Sequence, residues 1–420
     1  MKVLVVGSGG REHTLVWKIA QSSSVTKIYC APGNGGISTL AECVPIKAVD
    51  IDGVVKFSKE NKIDLVVVAP DDPLALGMVD ELENAGIRAF GPKKNAAIIE
   101  GSKAFSKDLM KKYSIPTAKY EVFEESEKAI EYLKTQEYPI VVKADGLALG
   151  KGVIIAEDFK QASDAVNSMM NDQVFGSAGK KVVIEEFLVG PEVSILAFTD
   201  GKTVKPMVSS QDHKRVFDND VGPNTGGMGT FSPSKIYTQE IAEYCMGKIM
   251  KPTIEAMRNE GRTFKGVLYF GIIITKDGPK VLEYNARFGD PETQVVLPKL
   301  NSDLVEIFNA IIDEKLDSIE IEWSDYASVC VVMASGGYPG KYETGLQITG
   351  IADAESDSNI VVFHAGSKYE NDKFYTAGGR VLGVTSLEPT MDEAIKKAYS
   401  GVKKISFKDA HYRKDIGIKY

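Results

Sequence analysis

Short β-branched runs punctuated by Gly and Pro open the chain: KVLVV, TKIYCA, IDLVVVAP and IRAFGP, all before about residue 100. Helical patterns separate them, and that alternation predicts βαβ units around a parallel sheet. The segment GSKAFSKDLMKKYSIPTAKYEVF then carries a helix that Pro116 cannot continue, since proline has no amide hydrogen and clashes with the preceding turn. This sets a boundary near residue 101. From about 120 to 200 the pattern changes to the strands YPIVVKAD, VIIA, KKVVIEEFL and VSILAFTD with a helix near 158–171, and it predicts a compact α+β lid over about 120–192. Residues 201–235, which include SSQDHKRVFDNDVGPNTGGMGTFSP, read as a long loop. Loops of that length without periodicity are usually functional or disordered.

A helix at about 238–260, the strand GVLYFGIIIT, the turn KDGP, the strand KVLEYNA and an amphipathic helix in NSDLVEIFNAIIDEKL follow. The last module starts near 326 with YASVCVVMAS, continues through NIVVFHAG and RVLGVTS, and closes on the helix MDEAIKKAYSGVKKI. The expected class is α/β and α+β multidomain, divided into 1–101, 102–325 and 326–420. No tandem repeat or low-complexity linker interrupts it, so the parts are expected to pack tightly.

Length agrees, because 420 residues exceed what one ordinary core accommodates. No segment approaches the roughly 18 uninterrupted apolar residues that a membrane span needs. MKVLVVGSGGREH lacks the apolar core and cleavage pattern of a signal peptide, so it reads as a first strand of a cytoplasmic protein. A net charge of −8 argues against a general nucleic-acid partner. Cys30, Cys43, Cys245 and Cys330 are scattered without CxxC spacing and read as buried thiols. His13, His213, His364 and His411 lack metal-ligand spacing, and no zinc site is expected.

Four stretches carry candidate chemistry. In VVGSGGREH, Gly7, Gly9 and Gly10 lie at a strand-to-helix turn, where backbone amides and the helix dipole favour an anion. Glu12 stands where a dinucleotide fingerprint needs its third Gly, so a generic tight turn stands beside the ligand-loop reading. Arg11 favours an anion, and PGNGG at 32–36 ends the next strand in the same way. In VVKADGLALGKGV, Lys143 precedes a loop with Gly146, Gly150, Lys151 and Gly152, either a hairpin over a polyphosphate or merely a flexible one. In VVIEEFLVGPEVS, Glu185 and Glu186 point to opposite faces of a strand and Glu192 follows a turn. A solvated edge or a nucleotide's neighbour both fit.

The fourth is LEYNARFGDPETQ. If KVLEYNAR is extended, Glu283, Asn285 and Arg287 share one face, and Leu282, Tyr284 and Ala286 the other. Two oxygen donors and a guanidinium suit Mg²⁺, which takes one or two carboxylates plus substrate phosphates. A solvent-facing edge strand is the alternative.

Together GSGGREH, APGN, EGSKAF, KADGLALGKGV, IEEFL, SQDHKRV, GPNTGGMG, RFGDPETQ, GGYPG, FHAG and RKDIG, in this order, resemble the glycinamide ribonucleotide synthetases, a family of ATP-grasp ligases. The resemblance covers essentially the whole chain. It implies an ATP-grasp fold with an N-terminal Rossmann-like pre-ATP-grasp domain and a small C-terminal α+β domain. It implies a monomer whose partners are small molecules, namely ATP, glycine and phosphoribosylamine, with no nucleic acid and no membrane. It further implies that Lys103 and Lys143 contact ATP phosphates under the loop from Gly146 through Gly150 and Lys151 to Gly152. Glu185, Glu186, Phe187 and Leu188 would line the adenine, with Glu192 near the ribose. Glu283 and Asn285 would hold Mg²⁺ or Mn²⁺. Gly9, Gly10, Arg11 and Asn34 would take the phosphoribosylamine. Asp212, Lys214, Gly226, Gly227, Met228, Arg287, Gly289, Asp290 and Pro291 would surround the reacting groups, with Arg287, Lys214, Asp212 and Asp290 as the catalytic set.

The chain departs from the family twice. APDDPL puts Asp71 where a Gly-Pro-Glu turn is expected, one methylene short for a substrate contact, and GVLYFGIIIT offers no second acidic metal ligand. The nearest alternative is another ATP-grasp carboxylate-amine ligase or carboxylase of purine metabolism, against which SQDHKRV and GPNTGGMG argue. A nicotinamide-dependent oxidoreductase is disfavoured by Glu12, and a silent binding module by the intact set of Lys103, Lys143, Glu283, Asn285 and Arg287.

Overall fold

The structure is a computed structural model that describes residues 1–148 and 152–418. Strands β1 (Lys2–Gly7), β2 (Lys27–Pro32), β3 (Glu42–Cys43), β4 (Leu65–Val68) and β5 (Ala89–Phe90) form a parallel sheet in the order β3-β2-β1-β4-β5. Leu4, Val6, Val66 and Val68 pack into one core, while Val3, Val5, Leu65 and Val67 pack into another on the opposite face. Burial on both sides is why these strands read as continuous apolar runs. Helices α1 (Gly10–Ile19), α2 (Ile51–Asn61), α3 (Asp71–Leu76), α4 (Met78–Asn84) and α5 (Lys94–Gly101) belong to this part, and α6 (Lys103–Lys112) leads out of it. The order reverses at β1, so a crevice opens beyond the carboxyl ends of β1 and its neighbours.

A second sheet holds β6 (Tyr120–Phe123), β7 (Ile140–Ala144), β8 (Val153–Ala156) and β9 (Val182–Glu186) in the order β6-β9-β7-β8, all antiparallel. Ile140, Val142, Val182 and Ile184 face Ala129, Leu133, Ala162 and Val166 of two covering helices. The strand read from VSILAFTD does not join it. That strand, β10 (Glu192–Thr199), pairs with β11 (Val204–Pro206) in another sheet.

Residues 201–235 correct the expectation of a long loop. They form β11, then β12 (Gln211–Asp212), a hairpin of β13 (Arg215–Phe217) and β14 (Val221–Asn224), and β15 (Gly229–Ser232). Each strand is too short to show a period, and each is held by its neighbours rather than by propensity. The third sheet is completed by β16 (Gly266–Thr275) and β17 (Gly278–Asn285), in the order β11-β10-β16-β17.

Strands β12 and β15 reach across to the last part of the chain. They extend a sheet that contains β18 (Ala327–Ala334), with β15 paired to β18, while β19 (Gln347–Ile348) lies in a separate sheet. The larger sheet adds β20 (Ile360–His364). Strands β21 (Ser367–Glu370) and β22 (Lys373–Thr376) complete the small sheet β19-β22-β21, and β23 (Arg380–Glu388) completes the larger one.

Gly7 ends β1 at a φ of +124°, a conformation that L side chains rarely adopt, and a Cβ there would stand 2.5 Å from Glu12 Cγ. Both the strained φ and the overlap oppose any side chain. Gly7→Ala is expected to cost about 1–3 kcal/mol, read as a lower urea midpoint by tryptophan fluorescence, and to displace Glu12 from the start of α1.

Candidate active site

The edge strand β17 begins the site. Its pairing with β16 slips between Gly271 and Ile272, so Val281, Tyr284 and Ala286 enter the core while Leu282 does not. This corrects the simple alternation: the bulge turns Leu282 out of the packed face, and its carbonyl accepts from Lys143 Nζ at 3.3 Å. Glu283 is half-buried, and no donor among the described residues hydrogen-bonds its carboxylate. Burial pushes that carboxyl up, but Lys214, Lys143, Lys103 and Arg287 together hold it below its ordinary value. Four cations from separate segments thus converge on one carboxylate. Asn285 Oδ1, on the same strand, accepts from Arg287 Nη2 at 3.2 Å.

No group of three or more His, Cys, Asp or Glu among the described residues is arranged to hold a metal. Glu283 and Asn285 fit a hard cation on other grounds, as one carboxylate and one amide oxygen whose remaining partners would be phosphate oxygens and water.

Toward the second sheet, Lys103 Nζ donates to the Gly146 carbonyl at 3.0 Å, and burial lowers its pKa. Lys143 Nζ lies 3.0 Å from Glu185 Oε2, and Lys107 Nζ 2.8 Å from the same oxygen. Glu185 is therefore a buried anchor between two lysines, with its Oε1 lacking a partner among the described residues. Glu186 Oε1 accepts the Lys119 amide at 3.0 Å on the other face of the strand. Phe187 is exposed and Leu188 half-buried in the connection that follows. Gly152 accepts the Ala144 amide at 2.8 Å. Gly150 and Lys151 lie outside the described residues. Glu192 pairs with Lys214 at 2.7 Å, which brings the expected ribose neighbour to the expected catalytic loop.

The turn after β17 is the meeting point of the three parts of the chain. Asp290 Oδ2 accepts the Arg11 amide at 3.2 Å, at the start of α1. Arg380 at the start of β23 places Nη2 3.3 Å from Asp290 Oδ1 and donates from Nη1 to the Asp290 and Gly226 carbonyls at 2.9 and 2.6 Å. Burial pushes the Asp290 carboxyl up, yet Arg380 and Arg11 hold it below the ordinary range. Gly227 has a φ of +112°, and any Cβ there would run into Pro291. Gly289 lies against the Glu292 carboxylate, and Gly10 against Gln294.

A cleft of about 380 Å³ opens here, lined by Gly9, Asn34, Asp290, Tyr338, Ser367 and Arg380 among others. Several expected ligands are already engaged. The Gly9 amide donates to Glu12 Oε2 at 2.6 Å, and Arg11 Nε to Glu12 Oε1 at 2.5 Å, so Glu12 supplies an anion at the helix start. Asn34 Nδ2 donates to the Ser8 and His364 carbonyls, both at 2.8 Å. The Met228 side chain is fully buried with Val216 and Ala334, its amide donates to His213, and its carbonyl accepts from Val332. The Gly9 amide, Arg11 Nε, Asn34 Nδ2 and the Met228 backbone are thus hydrogen-bonded within the chain, and of these residues Gly9 and Asn34 line the cleft.

Asp212 sits beside Lys214, Glu292, Glu192 and Glu283; burial and the three carboxylates raise its pKa while Lys214 opposes them. Glu292 is raised by burial and accepts from Ser194 Oγ at 3.3 Å and Tyr269 Oη at 3.2 Å. Arg287 is gripped by Glu100 at 2.8 Å; burial pushes the Glu100 carboxyl up to about 7 although Arg287 pulls it down. Asp71 adds its charge to both members of that pair. The sequence reading missed Glu100, Lys107, Ser367 and Arg380. Glu100 stands at the head of EGSKAF and Arg380 in the strand RVLGVTS, but nothing in their spacing tells which residue 90 or more positions away each will meet.

Comparison with known proteins gives three family matches in order along the chain. Residues 1–100 match the phosphoribosylglycinamide synthetase N domain, 101–293 its ATP-grasp (A) domain and 328–419 its C domain. The chain is 52% identical over 417 residues to the phosphoribosylamine–glycine ligase of Clostridium acetobutylicum, covering 99% of both. It is 49% identical to that of Caldanaerobacter subterraneus, covering 100% of both. Among solved structures, the phosphoribosylamine–glycine ligase of Thermotoga maritima superposes with a TM-score of 0.85 at 32% identity, with coverage of 99% and 100%. The biotin carboxylase domain of Hydrogenobacter thermophilus 2-oxoglutarate carboxylase, solved with MgADP, shares the fold at a TM-score of 0.74 and 18% identity, with coverage of 98% and 91%.

The depressed Asp290 carboxyl has a signed consequence. Its stabilisation is fully present above the ordinary aspartate pKa of about 3.9 and is lost as pH falls through the lower folded value. Asp290→Asn is therefore expected to lower the urea midpoint at pH 7 and to flatten its fall below about pH 4. An unchanged acid limb in the variant would contradict the assignment.

Proposed function

The chain belongs to the phosphoribosylglycinamide synthetase family, and from that premise we infer how its residues carry out the reaction. The enzyme joins glycine to 5-phospho-β-D-ribosylamine at the expense of ATP, giving the ribosylglycinamide phosphate, ADP and phosphate in purine biosynthesis. The convergence of Lys103, Lys143, Lys214 and Arg287 on Glu283 carries the reading, because it gathers at one place the charges that phosphoryl transfer requires.

A glycine carboxylate oxygen attacks the γ-phosphorus, and the bond to the bridging oxygen of ADP breaks. Lys103 and Lys143 neutralise charge on the phosphoryl oxygens. The amine nitrogen of phosphoribosylamine then attacks the carbonyl carbon of glycyl phosphate, phosphate leaves with the oxygen that began on glycine, and the nitrogen loses a proton. Arg287 steadies first the carboxylate and then the acyl phosphate. Asp212, whose pKa burial raises, receives the proton, and Lys214, paired with Glu192, supplies positive charge beside it. Holding amine and acyl phosphate together supplies on the order of 7 to 11 kcal/mol, and excluding water protects the intermediate.

Glu283 and Asn285 would hold the metal, Mg²⁺ or Mn²⁺. When bound, it neutralises phosphate charge and orients the polyphosphate. The loop from Gly146 to Gly152, with Gly150 and Lys151, closes over ATP, and the segment from Glu185 to Leu188 borders the adenine, with Glu192 at the ribose. The cleft beside Gly9, Gly10, Arg11 and Asn34 takes phosphoribosylamine. Arg380 and Ser367, which also line that cleft, are the residues that the geometry adds to its wall. Asp71, Gly226, Gly227, Gly289 and Pro291 shape the neighbouring walls. We divide the chain as 1–101, 102–325 with its lid, and 326–420, working as a cytoplasmic monomer; no helix among the described residues is long and apolar enough to cross a membrane.

The assay is ADP release with ATP, Mg²⁺, glycine and freshly made phosphoribosylamine. Full dependence on both co-substrates is expected, and ADP release that ignores either would point to a different ligase. Glu283→Ala is expected to lose turnover by several orders of magnitude while a cooperative melting transition shows that the chain still folds. Near-normal activity would remove the metal assignment.

A further inference from the structure

Glu100 lies in the last turn of α5 and is 8% exposed. Its two oxygens have separate partners. Oε2 accepts the Ala286 amide at 2.7 Å, and Oε1 stands 2.8 Å from Arg287 Nη2. Nη2 also donates to Asn285 Oδ1 at 3.2 Å, so α5 and the strand end share that one nitrogen. The other donors of Arg287 are loosely held. Nη1 reaches the Phe288 carbonyl only at 3.4 Å, and Nε is buried with no acceptor among the described residues.

An arginine fixed at one terminal nitrogen keeps its planar fork in one orientation and leaves the other donors for a ligand. Two residues after Glu100, Ser102 caps α6 by accepting the Phe105 amide at 3.1 Å, and Lys103 follows at once. The corner between α5 and α6 therefore carries both the partner of Arg287 and an ATP-facing lysine.

We propose that Glu100 is a positioning residue for acyl transfer: by holding Arg287 Nη2 it aims the remaining guanidinium donors at the glycine carboxylate and its acyl phosphate, in register with Lys103. The inference rests on the reading of Arg287 given above. A tether that only fastens α5 to the end of β17 would stabilise the chain without affecting turnover. A positioning role lowers kcat, because a displacement of about 1 Å in a reacting group costs roughly 100-fold.

The test is steady-state kinetics on the full chain for Glu100→Gln, Glu100→Asp, Arg287→Ala and the double variant Glu100→Gln with Arg287→Ala, alongside melting curves. Glu100→Gln is expected to lose roughly 10- to 100-fold in kcat with KM for ATP changed less than about threefold. The double variant is expected to be no slower than Arg287→Ala, since groups acting as a unit are non-additive. If Glu100→Gln does not fold, Glu100→Asp decides: it keeps the charge, shortens the reach, and should lose kcat without further loss when Arg287 is also removed. Normal kcat in the folded Glu100 variant beside a crippled Arg287→Ala, or losses that multiply in the double variant, would overturn the inference. Normal turnover in Arg287→Ala would instead remove the reading on which it rests.

Discussion

The Asp290 carboxylate is the constraint on which the arrangement of the three parts depends. Its two oxygens and its own carbonyl are shared between the Arg11 amide at the head of α1 and the Arg380 guanidinium from β23. A half-buried carboxylate is costly to desolvate unless its partners arrive in good geometry. Those partners come from opposite ends of the chain, so the turn RFGDPE is satisfied only when the first and last sheets are both in place. His13 and His364 reinforce the same joint, the His364 amide donating to His13 Nδ1 at 2.7 Å. Burial lowers the pKa of both rings, which keeps them neutral and lets Nδ1 accept.

Around that joint the site balances charge against charge before any ligand arrives. Glu185 is paired with Lys107 and Lys143, Glu192 with Lys214, and Glu100 with Arg287, whereas Glu283 is surrounded by cations yet accepts no hydrogen bond from the described residues. Removing one member of a buried pair leaves the other uncompensated, so Glu185 with its two lysines and Glu100 with Arg287 are coupled in stability as well as in chemistry. In the proposed mechanism the lysines and Arg287 face the phosphate charge that develops during transfer. Preorganisation of that kind stabilises a transition state without further reorganisation.

Much of this was legible in the chain. The parallel sheet followed from apolar runs such as KVLVV and IDLVVVAP, because strands buried on both faces need no alternation. RFGDPETQ and KADGLALGKGV stood out because charge and glycine cluster where a strand ends, and EGSKAF entered through the resemblance. The segment 201–235 was misread as loop because strands of two to four residues carry no period, and β12 and β15 are held by partners far along the chain. The bulge beside Leu282 depends on register with β16, which one strand's sequence does not encode. Glu100 and Arg380 were overlooked because an ion pair between distant segments has no local signature. Asn34 and Met228 lie in segments that carry the resemblance, and the hydrogen bonds of the one and the burial of the other also tie those segments to the rest of the chain.

The central claim is that the carboxylate of glycine is activated as an acyl phosphate within this ring of cations. Turnover with glycine carrying ¹⁸O in both carboxylate oxygens tests it directly, by mass analysis of the released phosphate. One labelled oxygen per phosphate is predicted, because the attacking carboxylate oxygen departs with phosphorus when the amide forms. Unlabelled phosphate would contradict the account.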